Sequence, residues 1–201
     1  MTLPDAPERE PSPVLQGMIV VGVLAAVMWV VEIVDQVAGG SLDRNGIEPR
    51  EADGLDGILW APFLHASWDH LIGNTIPFLA LGIGIALSGA ARVILVTAIV
   101  AVIGGLGTWL IGPPNTVHIG ASGLVFGYAA YLVSRGAFTR RPLQIVLGLV
   151  VVAVWGATLL QGLVPEDGIS WQGHLFGAIG GVVAAWVLEQ RTRQRRPAAA
   201  V

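Results

Sequence analysis

Five stretches of the chain, 11–31, 71–91, 93–134, 142–165 and 168–188, contain no Asp, Glu, Lys or Arg. A helix needs about 20 residues to cross the roughly 30 Å apolar layer of a bilayer, so each stretch is long enough. The third, 42 residues long, exceeds one crossing and is interrupted by Gly112-Pro113-Pro114-Asn115, where a helix cannot continue. The pattern therefore predicts an all-α membrane protein of six transmembrane helices, near 14–37, 70–87, 92–111, 121–134, 143–163 and 169–188. The fourth is the short one. The second and third, joined by Ser88-Gly89-Ala90-Ala91, should lie antiparallel. The longest connection, 38–69, starts acidic and glycine-rich and turns apolar at 58–64. Such a loop reads as partly sunk into the membrane interface, where it could cover a site. The domain reading is a disordered tail at 1–13, a membrane domain at 14–189 and a basic tail at 190–201.

Composition strengthens the membrane assignment. The chain is 54% hydrophobic and only 12% charged, against roughly 25% charged in soluble domains. All basic residues are arginines, and they are unevenly placed. With both termini cytoplasmic, nine of them (Arg9, Arg92, Arg135, Arg140, Arg141, Arg191, Arg193, Arg195 and Arg196) lie inside, and only Arg44 and Arg50 lie outside. That asymmetry follows the positive-inside rule and predicts a multi-pass plasma-membrane protein. The first span is flanked by acids and is not expected to be a cleaved signal. The arginine-rich tail fits topology or anionic lipid rather than nucleic acid. The chain has no cysteine, which excludes disulfides, thiolate catalysis and thiolate metal sites.

The candidate chemistry comes from polar residues at membrane depth, which are expensive there and so mark function. At 1.5 Å per residue, Ser122 should lie about 10 Å below the outer face, His174 about 7 Å and Asn74 about 6 Å. Three spans thus bring polar groups to similar depth. Gly173, Gly177 and Gly181 recur every fourth residue in span six, as do Gly123 and Gly127 in span four. Small-residue stripes let helix backbones approach closely, so Ser122 and His174 should meet. Serine needs a neighbouring base to become a nucleophile, and a neutral histidine is the usual one. At a helix start, the Ser122 amide is among the unpaired N–H groups that can face an anion. His70 and Asn74, at i and i+4, share a face of span two and can supply further donors. His65 should tie down the loop before span two, and His118 is expected at the interface. A metal site lacks the His-Glu-x-x-His pattern, and a proton relay lacks mid-span acids, with only Glu32 and Asp35 at the outer end of span one.

These residues resemble the rhomboid intramembrane serine proteases, in a bacterial six-span form. The resemblance rests on Leu64-His65 with His70-Leu71-Ile72-Gly73-Asn74, on Gly120-Ala121-Ser122-Gly123 opening span four, and on Gly173-His174 with its trailing glycines. It implies a Ser122/His174 dyad without an aspartate and an oxyanion hole from His70, Asn74 and the Ser122 amide. Gly120, Gly123, Phe126, Gly173, Gly177 and His65 would support the site. It implies no cofactor and no metal, a substrate that is itself a membrane-spanning segment cut near its outer end, and membrane lipid as surroundings. The alternative implied by the same family is an inactive relative that binds membrane helices as a chaperone or adaptor. Two positions depart from the family pattern. Phe126 stands where members often carry a tyrosine, and the Trp-Arg pair of the first loop is not evident, although Trp60 and Arg50 are present.

Overall fold

The structure, a computed structural model, describes residues 11–194. Most of the expected tails, 1–10 and 195–201, lie outside the described residues. Helix α1 spans Pro13–Val37, α2 is the single turn Gly57–Trp60, and α3 spans Trp68–Ala86. Helices α4 (Ala90–Ile111), α5 (Ser122–Thr139), α6 (Pro142–Gln161) and α7 (Trp171–Gln194) follow. No strand occurs among the described residues, only an isolated antiparallel pairing of Ile47 with His118. Local chemistry sets the boundaries. Ser12 caps α1 by accepting from the Leu15 amide, with Pro13 in the first turn, and Ser67 caps α3 by accepting from the His70 amide.

Among the described residues, five helices are long and apolar enough to cross a membrane: α1, α3, α4, α6 and α7 through Gln190. Helix α5 stands at the centre, against α7 and α6 most extensively and against α3 and α4 as well. Helix α1 lies outside, on α3 and α4. The core joins Val21 and Met28 of α1, Phe78 and Ile85 of α3, Val96 and Val100 of α4, and Tyr128 and Leu132 of α5.

Helix α5 is longer than its sequence predicts, running on from Ser134 to Thr139. Arg135 reads as a span boundary because a charge in the apolar layer is costly, yet it is buried here. Its Nε lies 3.0 Å from Glu189 Oε1 on α7, and its Nη1 donates to Ser88 Oγ at 2.7 Å. Arg92 of α4 also reaches Glu189 Oε1 at 3.0 Å. The partner that permits this burial is 54 residues away in sequence.

The first loop is folded and anchored. Ile47 and His118 exchange backbone hydrogen bonds at 3.0 Å each. Arg50, instead of forming a Trp-Arg pair, donates through Nη1 to the carbonyls of Gly112 at 2.8 Å and Leu110 at 3.3 Å, at the end of α4. Trp109 Nε1 returns a bond to the Glu51 carbonyl at 2.8 Å. The apolar half of the loop forms α2 and the turn Ala61–Phe63, leaving Leu59 and Trp60 exposed.

Candidate active site

Ser122 and His174 face each other because α5 and α7 touch through backbone. A Cβ at Gly177 would overlap the Gly123 carbonyl, and one at Gly181 the Gly127 carbonyl. The two glycine stripes expected to pack against each other are thus in direct contact. Ser122 opens α5 and His174 lies in the first turn of α7, and Ser122 Oγ is 2.9 Å from His174 Nε2.

The other ring nitrogen fixes the tautomer. His174 Nδ1 lies 2.6 Å from the Gly162 carbonyl oxygen at the end of α6. A carbonyl only accepts, so Nδ1 carries the proton and the Nε2 lone pair faces the serine. Phe126, one helical turn after Ser122, stacks on the imidazole with centroids 4.1 Å apart and planes at 4°. A Cβ on Gly162 would stand 2.7 Å from the Phe126 ring and 3.2 Å from His174 Nδ1. Close contact therefore confines this position to glycine.

The serine turn is held from the first loop. The Gly120 amide donates to the Ala61 carbonyl at 2.8 Å, and the Ala121 amide donates to His65 Nε2 at 3.3 Å. His65 thereby links the loop before α3 to the turn that precedes Ser122. It is fully buried and meets the His70 ring edge-on at 5.1 Å. Burial first, then His70, lowers its pKa to about 4, so it is neutral at ordinary pH. Gly120 adopts φ +112°, and a Cβ there would come within 2.7 Å of the His70 ring. Only glycine meets both conditions.

Helix α5 has no capping side chain at its start, so the first-turn amides, including that of Ser122, are left for another acceptor. Asn74 is buried, yet its Nδ2 has no hydrogen-bond partner. Such a group is a donor held in reserve. His70, Asn74, Ser122 and His174 line one cavity of about 910 Å³. Among the described residues no group of three or more His, Cys, Asp or Glu side chains is placed to hold a metal ion.

Sequence reasoning missed two supports. One is the Gly162 carbonyl, whose only signal is a glycine closing an apolar run. The other is the link from His118 Nδ1 to Ser170 Oγ at 2.7 Å. Ser170 also accepts from the Gly173 amide at 3.3 Å and so steadies the turn bearing His174. His118 Nε2 meets Thr116 Oγ1 at 3.0 Å, and burial lowers the His118 pKa.

Fold and cleft together define a multi-pass helical membrane protein with a serine and an imidazole hydrogen-bonded at the meeting of two helix starts. A family model described as the rhomboid domain matches residues 54–191. An uncharacterized protein of Mycobacterium tuberculosis is 50% identical over 180 residues, covering 85% of this chain and 75% of its own. One from Mycobacterium leprae is 46% identical, covering 98% and 84%. Rhomboid-like protein 11 of Arabidopsis thaliana, chloroplastic, is 32% identical, covering 65% and 51%. The chain belongs to the rhomboid family.

Proposed function

We propose that the protein is an intramembrane serine endopeptidase that cuts membrane-spanning segments near their outer end. The observation that carries this reading is the Ser122 Oγ to His174 Nε2 contact of 2.9 Å, with the imidazole proton held on Nδ1 by Gly162. As Oγ attacks a peptide carbonyl carbon, its proton passes to Nε2. Negative charge grows on the carbonyl oxygen, and the Ser122 amide, Asn74 Nδ2 and His70 are the donors proposed to receive it. Asn74 supports that role because its amide is already desolvated and unpaired. The imidazolium then protonates the leaving amine. Water, deprotonated by the same nitrogen, releases the acyl group from Ser122. Among the described residues the hydrogen-bond partners of the His174 ring are the Gly162 carbonyl and Ser122 Oγ, with no carboxylate among them. The Gly162 carbonyl orients the ring, and the face of Phe126 stabilises its cationic form.

In this proposal α5 is the sixth crossing and both termini are cytoplasmic, which puts the cleft at the outer surface of the plasma membrane. The substrate must open its helix to bring a carbonyl to Ser122, because hydrogen-bonded helical backbone is closed to attack. Purified protein in liposomes should cut a single-span substrate. Ser122→Ala or His174→Ala should lower the rate by about 10⁴-fold or more. Cleavage by Ser122→Ala at the wild-type rate would remove the dyad. A wild type inert on varied substrates would favour a helix-binding relative without activity.

A further inference from the structure

The end of the molecule that carries the cleft is strongly acidic. Among the described residues, ten Asp and Glu (Glu32, Asp35, Asp43, Glu48, Glu51, Asp53, Asp56, Asp69, Glu166 and Asp167) lie at this end, with Arg44 and Arg50 as its arginines. Arg50 is engaged on the carbonyls ending α4. Three of the acids line the cleft itself. Asp69 approaches from the first turn of α3, and Glu166 and Asp167 from the loop between α6 and α7. All three are exposed, and no arginine or lysine lines the cleft among the described residues. A cleft rimmed by one sign of charge and walled by apolar helices concentrates the opposite charge. Within it, the unpartnered Asn74 Nδ2 offers a donor suited to a peptide carbonyl.

We infer that this cleft selects membrane-spanning segments carrying lysine or arginine immediately outside their outer end. The inference deepens the proposed protease reading and rests on it for the identity of the cleft as the substrate site. The peptide carbonyl is taken by the donors at the floor, and the cationic flank by Asp69, Glu166 and Asp167 at the rim. Membrane proteins place arginine and lysine least often on the outer side, so such a preference would separate few substrates from many.

The test uses three single-span substrates that differ only in three flanking residues, all Arg, all Gln or all Glu, in liposomes of zwitterionic lipid. Wild type should favour Arg over Glu by about tenfold in kcat/KM, mostly through KM, as expected for a few partly exposed ion contacts. High salt should shrink the ratio towards one. The double variant Glu166→Gln/Asp167→Asn should reduce the ratio to about twofold. An unchanged ratio in that variant, or no charge preference in wild type, overturns the inference and leaves the protease reading standing. If nothing is cut, affinity of the Ser122→Ala protein for the same three segments decides. Tighter binding of the Arg segment upholds the inference while the protease reading falls, and equal binding overturns it.

Discussion

His65 shows how a single side chain can couple stability to pH. Its imidazole accepts from the Ala121 amide and is held neutral, with a pKa of about 4 against 6.5 when free. Between those values the unfolded chain binds a proton that the folded chain refuses. The folded state therefore keeps its full stability above about pH 6.5 and loses it as pH falls towards 4, by about 3 kcal/mol from this residue. His118, also lowered, acts in the same direction. Thermal unfolding in detergent should show a midpoint that falls over this window, and His65→Gln should flatten the slope. An equal slope in the variant would place the acid sensitivity elsewhere. Histidine and serine at membrane depth were legible in the sequence because apolar surroundings make them conspicuous. The Gly162 carbonyl that sets the His174 tautomer was not, since a glycine closing an apolar run does not tell which side chain its carbonyl will meet.

At the scale of elements, the α5–α7 contact decides whether Ser122 meets His174. Gly177→Ala and Gly181→Ala each insert a methyl group into the facing helix backbone, which can be relieved only by moving the helices apart. A cost of about 1 to 3 kcal/mol is expected, with loss of activity exceeding loss of fold. Gly22→Ala on α1 is the contrast, because nothing lies within 4 Å of its added Cβ, and it should be neutral or stabilise slightly. Equal midpoints for all three variants would sink this account. The end of the same pair away from the cleft is closed by Glu189 between Arg135 and Arg92. Glu189→Gln leaves buried Arg135 without its counter-charge and should lower stability by about 3 to 5 kcal/mol in chemical unfolding. A loss below about 1 kcal/mol would show the charge to be met by water. The glycine periodicity announced the first contact, since both stripes repeat locally along the chain. The ion pair was hidden because its two halves are far apart in sequence, which is why α5 was expected to end five residues too early.

For the whole molecule, the number of crossings fixes where the termini stand. Among the described residues five helices qualify as spans by length and hydropathy, and an odd number would put the ends on opposite sides. Helix α5 is not among them, although its 18 residues reach about 27 Å. Hydropathy measures fitness for contact with lipid, and α5 has little: ten of its residues, including Phe126, Tyr128 and Tyr131, are buried against neighbouring helices. A helix sheathed by protein can carry Ser122, Arg135 and glycine surfaces that a lipid-facing helix cannot. By contrast α6, packed chiefly on α5, exposes Leu149, Val154 and Leu160 and is among the most apolar. The sixth crossing is therefore expected at the least lipid-exposed helix. Because the chain has no cysteine, single cysteines introduced at exposed loop positions can be labelled from one side of intact cells. Cysteines at Arg44, Asn115 and Asp167 should react with an impermeant maleimide from outside, whereas cysteines at Arg140 and within the terminal tails should react only after permeabilisation. Outside labelling at both Asn115 and Arg140 would mean that α5, which lies between them, does not cross, whereas outside labelling at Arg140 without Asn115 would take Ser122 away from the outer surface on which the proposed reaction depends.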